Sequence, residues 1–256
     1  MPNILVCYKW VIEENDISVD FDGDLKMREP AYKVSLYDRN AIEAAVQLSE
    51  KTEMPCIALT CGDAKAEKSR KEALCAGPDQ GYAVIDDALE SADSYLTATV
   101  LASAIKKIGD IDVVLCGEGS GDMYAQQVGP RIAGALGWPL VAYATEIEPC
   151  EGGLQVKRAG ADGIEILKAS MPIVITVAGD CNTPRIAGIK AVMGAGKKPF
   201  EVFSLADVGI DGSASGLSVK QVIGNRPDRK NIRIQGDSSS IAAELVKSLI
   251  GEGVLG

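Results

Sequence analysis

Short apolar runs alternate with amphipathic stretches along this chain, at a spacing that leaves few folds open. The runs at 3–8, 57–60, 82–85, 113–116 and 173–177 are almost continuously apolar. Strands read this way when both faces are buried, as they are in parallel sheets. The segments 38–51, 64–76, 95–108 and 125–136 lie between these runs and carry apolar residues at helical spacing, with Ala41, Ala44, Ala45 and Leu48 on one face of the first. Parallel strands need crossovers of about a dozen residues or more, and these segments are long enough to supply them. The pattern therefore predicts an α/β fold, a mostly parallel sheet flanked by helices on both faces.

Two stretches depart from that rhythm. Residues 18–27 alternate Val19, Phe21 and Leu25 with acids around Asp22-Gly23-Asp24, which predicts a small hairpin after the first strand. Residues 148–167, with turns at Glu151-Gly152-Gly153 and Ala161-Asp162-Gly163, predict a second antiparallel excursion. Beyond Lys198-Pro199 the pattern weakens, and 204–235 is rich in Gly, Ser, Asp and basic residues. The expected organisation is an α/β domain over 1–203 and a C-terminal arm over 204–256. An amphipathic helix at 239–250 closes the arm, with Ile241, Leu245, Leu249 and Ile250 available to a partner.

Composition narrows the chemistry. The 256 residues include no histidine, which excludes a His-bearing catalytic triad, a His-ligated metal site and the usual general base near neutral pH. That shifts the reading towards binding, or towards chemistry carried by a cofactor, with no catalytic residue and no metal site in this chain. A formal charge of −10 opposes nucleic acid or an anionic membrane as partner. Seven cysteines, an odd number without a Cys-x-x-Cys pair, are expected to be reduced core thiols. The start, Met-Pro-Asn-Ile-Leu-Val-Cys, lacks the basic region and cleavage site of a signal peptide, and no apolar run approaches a membrane span. A cytoplasmic location is the expectation.

The strongest local signal follows the run at 113–116, where Gly117, Gly119 and Gly121 lead to a helix expected to be capped near Asp122. Glycines allow close backbone approach to a phosphate, and free N–H groups at a helix start favour negative charge. Ser120, Gln126 and Gln127 add neutral hydrogen-bonding groups, whereas Glu118 and Asp122 oppose a phosphate, so backbone would have to hold it. The segment is neither a Walker loop nor a Gly-x-Gly-x-x-Gly fingerprint. A glycine-rich turn without a ligand accounts for it as well.

Four blocks in order carry a resemblance: Ile4-Leu-Val-Cys-Tyr-Lys-Trp-Val; Thr60-Cys-Gly-Asp; Cys116-Gly-Glu-Gly-Ser-Gly-Asp-Met-Tyr-Ala-Gln-Gln-Val-Gly-Pro; and Asn182-Thr-Pro-Arg-Ile-Ala-Gly-Ile-Lys-Ala-Val-Met-Gly-Ala-Gly-Lys-Lys-Pro. Together they resemble the beta subunits of electron transfer flavoproteins over essentially the whole chain. Tyr37-Asp-Arg-Asn-Ala-Ile-Glu-Ala-Ala points to the Fix-type branch linked to carnitine or acyl-CoA metabolism.

The resemblance implies a Rossmann-like, HUP-like fold and a heterodimer in which an alpha subunit binds the redox FAD while this chain buries AMP. It implies a nucleotide pocket at Cys7, Ser35, Asp38, Cys61 and the loop from Gly117 through Gly119, Ser120, Gly121, Asp122, Gln126 and Gln127 to Val128. Core packing explains Cys7 and Cys61 individually, and Asp38 equally suits a helix N-cap. The resemblance further implies a docking loop over 182–198. There Ile189 would anchor acyl-CoA dehydrogenase-like or quinone-reductase-like redox partners, with Lys190, Lys197 and Lys198 as a basic rim. A surface helix with a basic last turn is the plainer account of the same residues.

Departures from the family pattern keep alternatives open. Ala159 stands where the family usually has an acid that helps hold the mobile flavin domain. Val128 stands where the family loop has Thr, as in members that take a second FAD in place of AMP. An electron-bifurcating form is therefore an alternative to a simple electron carrier. A stand-alone adenine-nucleotide sensor resembling universal stress proteins is a reading of another class, as is an adenylating enzyme, for which Tyr8-Lys9-Trp10-Val11 supplies no phosphate loop.

Overall fold

A computed structural model describes residues 2–255 except 21, 28, 212–215, 218 and 225–229. Phe21 of the expected hairpin and parts of the expected arm thus lie outside the described residues.

In chain order the elements are β1 (Asn3–Cys7), β2 (Trp10–Ile12), β3 (Ile17–Val19), β4 (Leu25–Met27), β5 (Tyr32–Val34), α1 (Leu36–Thr52), β6 (Cys56–Gly62), α2 (Arg70–Cys75) and β7 (Gln80–Ile85). They continue with α3 (Ser94–Ile108), β8 (Ile111–Gly117), α4 (Val128–Leu136), β9 (Leu140–Cys150), β10 (Gly153–Gly160), β11 (Gly163–Ala169), β12 (Ile173–Val177), α5 (Ile189–Ala195), β13 (Phe200–Phe203) and α6 (Ser238–Gly251). Nine strands form one sheet in the order β11-β10-β9-β12-β8-β1-β6-β7-β13. Every neighbouring pair from β9 to β13 is parallel, and only β10 runs against its neighbours.

Strand periodicity divides the core into two layers. Ile4, Val6 and Tyr8, Val113 and Leu115, and Ile173, Ile175 and Val177 pack on one face with Ala41, Ile42, Ala45 and Leu48 of α1 and Leu74 of α2. The alternate residues Leu5, Cys7, Val114, Cys116 and Val174 pack on the other face with α3 and α4 through Leu96, Val100, Leu101, Ile105 and Ile132. Continuous apolar runs are required because both faces are covered. The chain leaves β1 for β6 on one side and returns to β8 on the other, so β1 and β8 flank a topological switch point, where ligands of open α/β sheets bind.

Some expectations change in detail. The second excursion is larger than 148–167: β9 to β11 are hydrogen-bonded into the main sheet instead of standing apart. The helix expected over 64–76 splits into a 3-10 turn at Ala66–Ser69 and the six residues of α2. Past Phe203 the core continues, since Leu205 and Val208 are buried in the α3 layer.

The chain divides into two compact units, Met1–Ser18 with Lys26–Val222, and Val19–Leu25 with Ile223–Gly256. In the smaller unit the Gly224 N–H donates to the Gly23 carbonyl, and Asp237 caps α6 by accepting from the N–H groups of Ser239 and Ser240. No residue of α6 is buried. Among the described residues no helix is long and apolar enough to cross a membrane.

Candidate functional site: the crevice between β1 and β8

Asp38 joins the carboxyl ends of the two strands at the switch point. Its Oδ2 accepts from the Lys9 N–H at 2.8 Å and its Oδ1 from the Gly117 N–H at 3.2 Å. The residue lies in the first turn of α1 and is buried, so it is not the N-cap suggested by its position in the sequence. Burial lifts its carboxyl to about 7, against the downward pull of the two N–H donors. Ser35 stands at the N-cap position, yet its Oγ accepts from the Gly121 N–H at 3.1 Å and not from its own helix. The start of α1 therefore holds both the end of β1 and the glycine loop.

The loop from Gly117 to Gln127 is not helical. The helix expected from residue 125 starts instead at Val128, because Tyr124 and Gln126 adopt φ of +41° and +57°, outside the right-handed helical region. Pro130 falls in the first turn of α4, where its missing N–H costs nothing. Asp122 is not a cap: its Oδ1 accepts from the Met123 N–H and from Ser120 Oγ, and its Oδ2 meets Lys9 Nζ at 2.6 Å. Burial tends to raise the Asp122 carboxyl, but the Lys9 ammonium and the hydrogen bonds from Lys9, Ser120 and Met123 together outweigh it and hold the group below the usual carboxylate range.

The three glycines differ in what they make room for. A Cβ on Gly117 would fall 2.6 Å from Asp38 Oδ1, and one on Gly119 would fall 2.6 Å from the Tyr124 ring. That ring lies 5.0 Å from the Tyr37 ring, and its hydroxyl donates to Glu118 at 2.9 Å. Only Gly121 has open space, with Ser35 Oγ the nearest atom at 4.0 Å. The N–H groups of Gly119, Ser120 and Asp122 have no protein partner among the described residues. Unpaired amides around an open glycine are donors suited to an anion such as a phosphate.

The other expected pocket residues are distributed as follows. Cys7 and Cys61 lie at the ends of β1 and β6, with Cys7 in the core layer beneath α3 and α4 and Cys61 packed against it. Hydrogen bonding with Cys116 and burial push the Cys7 thiol well up, and burial takes Cys61 to about 12, so neither is a reactive thiolate. All seven cysteines are free. Gln127 Oε1 is taken by Ser94 Oγ at 2.8 Å and by the Arg131 guanidinium, which turns it towards α3. Val128 is partly buried against the α3 and α4 layer. Lys9 and Tyr124 were not visible as site residues from sequence spacing, since Lys9 reaches the loop only through the adjacency of β1 and β8.

The segment 182–198 lies apart from these contacts. Asn182 and Asn40 exchange side-chain hydrogen bonds, and the Arg185 guanidinium bonds the carboxylates of both Glu43 and Glu50, pinning the segment to α1. Beyond that clamp Ile186 is 97% exposed, Ile189 82% and Met193 74%, with Lys190 and Lys197 also exposed. Lys198 departs from the expected rim. Its Nζ donates to the carbonyls of Leu74, Gly77 and Pro78 and so closes the C-terminal end of α2.

A family model described as the electron transfer flavoprotein domain matches residues 24–208. The match takes in α1, the glycine loop and the pinned segment.

Proposed function

The chain belongs to the electron transfer flavoprotein family, and from that premise we propose that it is the beta-type subunit of a cytoplasmic heterodimer, of the Fix-type branch linked to carnitine or acyl-CoA metabolism. Its role is to hold an adenine nucleotide, AMP, in the crevice between β1 and β8, to scaffold an FAD-bearing alpha subunit and to dock redox partners. The observation that carries this reading is the loop at the switch point, with three unpaired amides beside the open Gly121 and its backbone fixed by Ser35 and Asp38. The FAD of the alpha subunit supplies the electron transfer. This chain contributes no acid or base, which agrees with its lack of histidine.

Docking is assigned to the exposed Ile189 with its neighbours Ile186 and Met193. An apolar anchor on a rigidly held segment binds a partner without first losing loop entropy, and Lys190 and Lys197 at its border act on the rate of encounter. The exposed apolar residues of α6, Leu245, Val246 and Ile250, are assigned to the alpha subunit. A second reading, an electron-bifurcating form with FAD in place of AMP, draws on Val128, which offers no hydroxyl to the loop. Copurification with the alpha subunit, denaturation and chromatography of the released nucleotides tests both. One FAD with one AMP per heterodimer is the expected result; two FAD would establish the second reading, and no adenine nucleotide beyond a single FAD would refute both.

A further inference from the structure

We propose that Lys9 is the cation that receives the nucleotide phosphate, exchanging its contact with Asp122 for the ligand; this rests on the nucleotide reading of the crevice. The backbone of Lys9 is fixed on both sides. Its N–H donates to Asp38 Oδ2 at 2.8 Å and its carbonyl accepts from the Ser35 N–H at 3.0 Å. Its root is thus set at the switch point between β1 and β8, while its side chain is 45% exposed. The ammonium ends 2.6 Å from Asp122, in the same turn as the unpaired amides of Gly119 and Ser120.

Charge is what this site lacks for a phosphate. Three carboxylates border the loop, Asp38, Glu118 and Asp122, and backbone amides alone would have to offset them. Arg131 is turned away, with its guanidinium on Gln127 Oε1 and over the Tyr95 ring. Lys9 is held only by a half-exposed ion pair. Breaking such a pair shifts an equilibrium by no more than about fivefold, whereas a charge-assisted bond to phosphate is stronger, so the exchange favours the ligand. Asp122 then acts as a placeholder that keeps the ammonium extended over the loop.

The experiment is calorimetric titration of the full chain with AMP and, separately, with adenosine, which carries the base and ribose without phosphate. Lys9→Gln is expected to weaken AMP about 10- to 100-fold and to leave adenosine within about twofold. Lys9→Arg, which keeps the charge, should retain the preference for AMP. Asp122→Asn, which releases the ammonium, should raise the AMP-to-adenosine ratio. A purely structural ion pair would instead give changes of the same sign whichever partner is removed. The proposal is overturned if Lys9→Gln binds AMP as the unaltered chain does, or if AMP and adenosine weaken equally; in both cases the nucleotide reading survives. Failure of the unaltered chain to bind AMP and adenosine alike overturns the proposal together with that reading.

Discussion

Asp38→Asn separates the electrostatic cost of the crevice from its hydrogen bonding. Burial lifts the Asp38 carboxyl from an ordinary 3.8 to about 7. The folded chain therefore holds this proton more tightly than the unfolded chain does. The stability contributed by the group is full below about pH 4 and is lost as the pH rises to about 7, by about 4 kcal/mol across that window. Asparagine copies the neutral acid with one difference: its amide nitrogen must face the N–H of either Lys9 or Gly117. Leaving that buried donor without an acceptor costs about 1–3 kcal/mol. Near pH 5 roughly 1.6 kcal/mol of the unaltered chain's advantage is already gone, so the two proteins should differ by no more than about 1.5 kcal/mol, and near pH 8, where the unaltered chain carries a buried charge, the variant should be the more stable. Urea unfolding of both proteins at the two pH values measures the difference directly. A gap of equal size at both pH values would refute the argument, because it would mean that Asp38 is fully ionised throughout.

Three further outcomes are expected. Gly119→Ala should destabilise by about 1–3 kcal/mol through its clash with the Tyr124 ring, and the cost should largely vanish on a Tyr124→Ala background; a cycle without coupling would show that Tyr124 is not what the glycine accommodates. Ile189→Ala should leave the thermal midpoint unchanged yet raise, by about 10- to 100-fold, the concentration of dehydrogenase needed for half-maximal electron transfer in stopped-flow assays, since the side chain is exposed until a partner covers it. An unaltered concentration dependence would remove Ile189 from docking. Lys198→Met should lower stability by about 2 kcal/mol because three carbonyls at the end of α2 lose their donor, while Lys197→Met should alter only the salt dependence of association; equal behaviour of the two would contradict the different roles assigned to them.

What sequence made legible was whatever depends on period and burial. The strand at 173–177 has the expected bounds, α1 and α6 differ from expectation by one or two residues at each end, and α3 differs by one residue at its start alone. Helix starts were harder. The left-handed residues Tyr124 and Gln126 carry no glycine or asparagine to announce them, so the helical pattern places the start of α4 three residues too early. Side-chain partners across the chain were hidden altogether. Lys198 and Lys197 are identical neighbours by sequence, and only the approach of α2 makes one a cap. Likewise the pairing of Lys9 with Asp122, 113 residues apart, depends on β8 lying next to β1.

The position of β12 bears on how the polypeptide reaches this arrangement during synthesis. β12 lies between β8 and β9 in the sheet yet follows both in sequence, after the excursion through β10 and β11 has been made. Until residues 173–177 emerge, β8 and β9 have no common neighbour, and each presents an open edge towards the place that β12 will fill. The β8 edge is formed by Val113, Val114, Leu115 and Cys116, an apolar strand able to pair with other chains. Such exposure during folding favours aggregation, and insertion of a late parallel strand is slow because its contacts span long sequence separations. Ribosome-bound chains ending before β12 should therefore recruit chaperones strongly, and those extended past it should be released.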